Sequence, residues 1–126
     1  AKVRAVLRDP GKGEALRAAG AEVRAGSIDN ESGLVEALAG VAGAYLLIPP
    51  PVAAPDFLAA TARIGAALAS AARRAAVPHV VVLSSVGAHQ PSGAIASLTM
   101  FERQIADAGL NHTILRPAYF LSNWGG

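Results

Sequence analysis

A chain of 126 residues with eleven Lys and Arg against nine Asp and Glu, a formal net charge of +2, has room for one hydrophobic core and lacks the one-sided charge of a nucleic-acid-binding surface. Its hydrophobic fraction of 52% and charged fraction of 16% exclude disorder, and the absence of cysteine excludes a disulfide framework and a thiolate zinc site. No charged-then-apolar leader opens the chain, and its longest low-charge stretch, residues 41–62, is broken by prolines and Asp56, so neither secretion nor a membrane span is expected and the cytoplasm is the expected compartment.

Along the chain a short β-branched run, a turn and an alanine-rich amphipathic stretch recur. Residues 3–7 predict a first strand, residues 11–19 a short helix stopped at Gly20, and residues 22–25 a second strand. Asp29 or Asn30 caps a helix through Ala39, because a short side-chain acceptor satisfies the free amides of a first turn. Residues 44–48 are a wholly apolar third strand ended by three prolines, and its lack of polar alternation predicts a central place in the sheet. The longest helix spans residues 55–76, and Pro78 forbids its continuation. Residues 79–83 predict the fourth strand, residues 96–108 a helix ending at Gly109, and residues 112–115 the fifth strand. Strands separated by helices of crossover length predict an α/β fold over residues 1–126 as one domain. The expected architecture is a doubly wound, Rossmann-like parallel sheet of about five strands in a three-layer sandwich.

In such sheets ligands bind beyond the carboxyl ends of the strands. Those ends carry Arg8-Asp9-Pro10, Gly26-Ser27-Ile28-Asp29, Ile48-Pro49-Pro50-Pro51, Ser84-Ser85-Val86-Gly87 and Arg116-Pro117-Ala118-Tyr119. No metal centre is expected, since His79 and His112 open strands at the opposite pole and no carboxylate has matching ligand spacing. His89, in the loop after Ser85, is the histidine placed to meet a substrate, with an ordinary surface role as the alternative. Read alone, Arg8 is a solvated strand-end arginine paired with Asp9, and Ser84 and Ser85 cap the loop that follows them. Gly11-Lys12-Gly13 lacks the third glycine and the spacing of a phosphate loop and reads as a helix-entry turn.

Taken together and in order, Val3-Arg4-Ala5-Val6-Leu7-Arg8-Asp9-Pro10, Gly20-Ala21-Glu22-Val23 with Gly26-Ser27-Ile28-Asp29, Ser84-Ser85-Val86-Gly87-Ala88 and Thr113-Ile114-Leu115-Arg116-Pro117 resemble the NmrA-like group of atypical short-chain dehydrogenases/reductases. The joint spacing carries the resemblance, which runs over essentially the whole chain. It implies an NADP(H) site in which Arg8 meets the adenosine 2′-phosphate, a task suited to a bidentate guanidinium. Ser27 and Ile28 would border the adenine, with Ser27 standing where the family usually has an acidic residue. Ile48, Pro49 and Pro50 would wall the ribose next to the nicotinamide, and Ser84 and Ser85 would lie beneath the ring. Pro117, Ala118, Tyr119 and Phe120 would close the pocket beside a small-molecule substrate. Tyr119, Phe120 and Trp124 read equally well as hydrophobic anchors.

The resemblance also marks departures. The family begins with a strand and a glycine-rich G-x-x-G-x-x-G turn that nothing before Val3 supplies, and it continues beyond Trp124-Gly125-Gly126 into a substrate-binding portion. The Tyr-x-x-x-Lys proton-donating pair is missing, with Ala94 and Leu98 at the corresponding positions. An incomplete domain is therefore expected, its catalytic residues unassigned. Removing the first strand from the order 3-2-1-4-5-6 leaves three alternatives. The flanking strands close up into a flavodoxin-like 2-1-3-4-5 sheet, two chains pair as a homodimer or exchange strands, or the chain is part of a longer polypeptide. The expected function is the NAD(P)H-binding domain of an NmrA-like reductase, passing hydride to a carbonyl, quinone or alkene, or of a redox sensor. The alternative is a non-catalytic truncated binding module without cofactor. Neither nucleic acid nor membrane is an expected partner.

Overall fold

The computed structural model describes residues 1–90 and 92–125. Its elements in chain order are β1 (Arg4–Leu7), a 3-10 turn (Pro10–Gly13), α1 (Glu14–Ala18), β2 (Glu22–Ala25), α2 (Glu31–Leu38), β3 (Ala44–Leu46), α3 (Phe57–Arg74), β4 (Val80–Leu83), α4 (Ile95–Asp107), β5 (His112–Leu115) and a second 3-10 turn (Leu121–Trp124). Local chemistry sets several of the boundaries. Asn30, rather than Asp29, caps α2 by accepting the Gly33 N–H at 3.0 Å, and Asp56 caps α3 by accepting the Ala59 N–H at 3.0 Å. Gly40 and Gly109 leave α2 and α4 with φ of 73° and 71°, the left-handed turn that a missing Cβ allows. The stop of α3 is different, with Ala76 taking φ 54° just before Pro78.

The helix expected over residues 11–19 divides. The Asp9 carboxylate accepts the Gly11 N–H at 3.0 Å and holds residues 10–13 in the tighter 3-10 turn, so α1 starts only at Glu14. Gly13 is buried against the sheet: a Cβ there would lie 2.8 Å from Val23 and 3.0 Å from Leu7. The Gly11-Lys12-Gly13 segment is therefore a close-packing turn.

Every strand pair is parallel. β1 pairs with β2 from Arg4↔Glu22 to Leu7↔Ala25, β3 with β4 from Ala44↔Val80 to Leu46↔Val82, and β4 with β5 from Val80↔His112 to Leu83↔Leu115. The ladders form two sheets, β1-β2 and β3-β4-β5. Two tertiary links show that they run the same way. At the amino end, the Arg4 guanidinium donates to the Ala37 and Ala39 carbonyls (2.8 and 3.0 Å), where α2 turns toward β3. At the carboxyl end, Asp29 beyond β2 pairs with Arg63 in the first half of α3 at 2.7 Å.

The closed-up, flavodoxin-like order is not formed. No ladder joins β1 to β3, although α2 packs directly on α3. β3 is consequently an edge strand of its sheet, not the central strand its composition predicts, and Tyr45 is 55% exposed.

Alternation across the strands defines the layers. Val80, Val82 and Leu46 are buried beneath Ala69, Ala71 and Ala72 of α3 and Phe101 and Ile105 of α4, joined by Leu34 and Leu38 of α2. Small residues bring the helices together: a Cβ on Gly65 of α3 would sit 2.1 Å from Gln104 Oε1 and 3.1 Å from the Phe101 ring. On the opposite face α1 contacts β2, whereas Tyr45, Leu47 and Leu115 stay exposed. Among the described residues no helix is long and apolar enough to cross a membrane.

Candidate functional site

Because the strands of the larger sheet are parallel, their carboxyl ends deliver three loops to one place. Two backbone bonds zip the loops after β4 and β5 together beyond the ladder: Ser84 N–H to the Leu115 carbonyl at 2.7 Å and Val86 N–H to the Pro117 carbonyl at 3.2 Å. The third loop, after β3, is prolines 49–51, which carry no N–H to extend a ladder and turn the chain away. The result is a cleft of ≈ 420 Å³ lined by Leu47, Ile48 and Pro50, by Leu83, Ser84 and Ser85, by Leu98 of α4, and by Pro117, Ala118, Tyr119 and Phe120.

Eight of the residues singled out in the sequence meet in that cleft: Ile48, Pro50, Ser84, Ser85, Pro117, Ala118, Tyr119 and Phe120. Pro49 is exposed between two wall residues and does not line it. His89 lies outside, exposed in the turn after Ser85. Beyond Phe120 the chain folds back, so that Tyr119 and Trp124 meet edge to face with ring centroids 6.0 Å apart.

Arg8, Ser27 and Ile28 form a second group, at the carboxyl end of β1-β2. Arg8 is exposed and makes no ion pair among the described residues. Its expected pairing with Asp9 does not form, since that carboxylate is turned back onto the Gly11 N–H. The Ser27 hydroxyl accepts the Asp29 N–H at 3.2 Å and so shapes the turn, and Ile28 is half-buried against the core.

Sequence reasoning missed the most strongly connected polar group near the cleft. Glu102, on α4, has a side chain only 13% exposed. Arg116, just past β5, grips it with both prongs, Nε to Oε1 at 2.9 Å and Nη2 to Oε2 at 2.6 Å. The Ser84 hydroxyl donates to the same carboxylate. Arg116 beside it, then Ser84, hold the Glu102 carboxyl below the usual glutamate range, and the carboxylate in turn raises Arg116. The linear signal was faint, an acid on the buried stripe of a helix and an arginine ending a strand.

A depressed acid pKa makes this pair a source of stability above the ordinary glutamate pKa that fades as pH falls through the lowered folded value. Glu22, beside Arg24 and Arg4, and Glu31, beside Ser70 and Arg74, are lowered as well, so wild type must be compared with Glu102→Gln. The expected result is a melting-temperature gap between the two that is widest near neutrality and narrows as pH falls below the ordinary glutamate range. A gap that does not change with pH removes the ion pair as its cause.

Comparison with known proteins gives consistent findings. The model of the NmrA-like family matches residues 1–126. An NAD(P)H azoreductase of Xenophilus azovorans is 30% identical over 122 residues, spanning 95% of this chain and 40% of that protein. The Escherichia coli NADPH-dependent quinone oxidoreductase solved with NADPH superposes with a TM-score of 0.83 at 29% identity, covering 96% of this chain and 41% of its own. The Citrobacter sp. triphenylmethane reductase complexed with NADP(H) gives 0.83 at 24% identity, with 96% and 41% covered. The chain thus spans about two-fifths of the length of these relatives.

Proposed function

Given that the chain belongs to the NmrA-like family, we propose that it builds the cofactor-facing sheet of an NAD(P)H-dependent reductase of small molecules. The observation that carries this reading is the convergence of parallel strand ends on an apolar cleft, with the Arg8 guanidinium, unpaired among the described residues, at the carboxyl end of the companion sheet. Residues 1–126 act in this reading as one domain of a cytoplasmic enzyme.

The residues fit a phosphorylated dinucleotide. Arg8 offers two parallel donors to a phosphate, and Ser27 and Ile28 lie beside it for the adenine. Ile48 and Pro50 flank the ribose next to the nicotinamide, with Pro49 turned away between them, Ser84 and Ser85 form the floor, and Pro117 closes the cleft. When bound, the nicotinamide supplies the reducing equivalent. The chain's own contribution is orientation and exclusion of water by apolar walls, since Tyr119 is the one titratable side chain lining the cleft among the described residues. Tyr119 and Phe120 offer aromatic faces to a planar conjugated acceptor, a carbonyl, quinone or alkene, with His89 at the margin.

The same scarcity of proton donors suits a redox sensor that binds the cofactor without turnover. NADPH consumption in the presence of a quinone separates it from the reductase. Binding itself is tested by titrating NADPH into the ¹⁵N-labelled protein. The expected outcome is one saturable transition that moves the amide signals of Arg8, Ile48, Ser84, Ser85 and Ala118. Shifts confined to the opposite pole, at His79 and His112, or no saturation at millimolar NADPH, would reject the reading.

A further inference from the structure

The hydroxyl protons at the floor of the cleft are already committed. Ser84 is 5% exposed, lines the cleft, and donates its proton to Glu102 Oε1. Arg116 occupies both oxygens of that carboxylate, at 2.9 and 2.6 Å. A carboxylate is acceptor-only, so the direction of the serine bond is forced, and Ser84 has only lone pairs left for anything that enters. Its neighbour Ser85 donates to the Val86 carbonyl at 3.1 Å, and the backbone N–H groups of Ser84 and Val86 are taken by Leu115 and Pro117. The walls formed by Ile48, Pro50, Leu98 and Pro117 add no side-chain donor.

Resting on the dinucleotide reading above, we infer that the cleft floor is a hydrogen-bond-acceptor site. Ser84, oriented by Glu102 and Arg116, receives a bond from a neutral donor of the bound molecule, of which the carboxamide N–H on a nicotinamide ring is the fitting class. Glu102 and Arg116 are positioning residues for that contact. Ser84 is thereby excluded as a proton donor in the reduction, which leaves the Tyr119 hydroxyl, unpartnered among the described residues, as the side-chain O–H on the wall.

The test compares NADPH with its analogue carrying an acetyl group in place of the carboxamide, which keeps the carbonyl and loses the N–H. Wild type should bind NADPH about tenfold more tightly, the scale of one hydrogen bond to a buried group. Ser84→Ala should abolish the preference by weakening NADPH alone. Glu102→Gln presents an amide that can donate to Ser84 and free its proton for the carbonyl that both dinucleotides carry, so the preference should disappear, while Arg116→Lys, which keeps Glu102 ionised, should retain it. A purely structural pair would lower the melting temperature in these variants and leave the ratio of affinities untouched.

Equal binding of both dinucleotides by wild type, or an unchanged ratio in Glu102→Gln, would overturn the inference while the dinucleotide reading stands. If neither dinucleotide binds, that reading falls, and the polarity of the floor is decided by the Ser84 hydroxyl proton in NMR spectra. A slowly exchanging signal in wild type, lost in Glu102→Ala, supports an acceptor floor, and its absence in wild type refutes it.

Discussion

Phe101→Ala should lower the unfolding free energy by about 3–5 kcal/mol, the cost of deleting a buried aromatic ring and leaving a cavity that the surroundings fill only in part. Phe101 is 1% exposed and sits in the core shared by α3, α4 and β4, among Val80, Val82, Ala72 and Ile105. The site has little capacity to collapse, because α3 already approaches α4 as closely as the missing side chain of Gly65 allows. A chain of this size is stabilised by about 6–19 kcal/mol in total, so the substitution removes a large share. Urea denaturation of wild type and variant measures it, with a fall in melting temperature of about 10–20 °C as the parallel readout. Phe101→Leu, which restores most of the volume, should cost clearly less, and Arg103→Ala, exposed on the same helix, should change stability by less than about 0.5 kcal/mol. A loss below about 1 kcal/mol for Phe101→Ala would mean that the α3–α4 core is not packed as described.

Arg8→Ala should weaken NADPH binding about tenfold to hundredfold and leave NADH binding unchanged, since paired charge-assisted bonds to a phosphate are made to the one cofactor and not to the other. Arg8→Lys should fall between, keeping the charge and losing the fork. The loss should shrink as salt rises, because Arg8 is exposed and its field is screened. Folding should be unaffected in both variants, as Arg8 makes no ion pair among the described residues. Isothermal titration with both cofactors decides. Equal losses for NADH and NADPH would place Arg8 away from the 2′-phosphate, and no loss for either would remove it from the site.

These predictions draw on residues of different legibility. Arg8, Pro50, Ser84, Ser85 and Pro117 could be picked out in the chain because each lies at the end of an apolar run, and polar or backbone-constraining residues just after a strand mark the ligand pole of a parallel sheet. Pro49 and His89 satisfy the same rule and yet do not line the cleft. Facing depends on the local turn, and neighbouring residues in a loop point different ways. The split of residues 11–19 into a 3-10 turn and α1 was hidden for a similar reason: the Asp9 carboxylate reaches back to Gly11, a contact that hydrophobic periodicity does not report.

Glu102, Arg116 and Ser84 were illegible as a group. They come from α4, from the end of β5 and from the end of β4, 14 and 18 residues apart. Each taken alone is an ordinary residue at its position, and only packing of α4 over the β4-β5 ladder brings the three polar groups within bonding distance.

What the amino-acid sequence by itself determined is the succession of strands and helices, a helix cap at Asp29 or Asn30, the stops at Gly40 and Gly109, and the parallel direction of the strands. These follow from side-chain period, from acceptors a few residues from their amides, and from crossovers too long for hairpins. Tertiary structure alone decided that the strands stand as a pair and a triplet, that the apolar β3 lies at an edge, and that Ser84, Glu102 and Arg116 meet beside the cleft. Those outcomes depend on which distant strands pair and on which distant side chains meet where helices pack over them, and neither is written in any local stretch of chain.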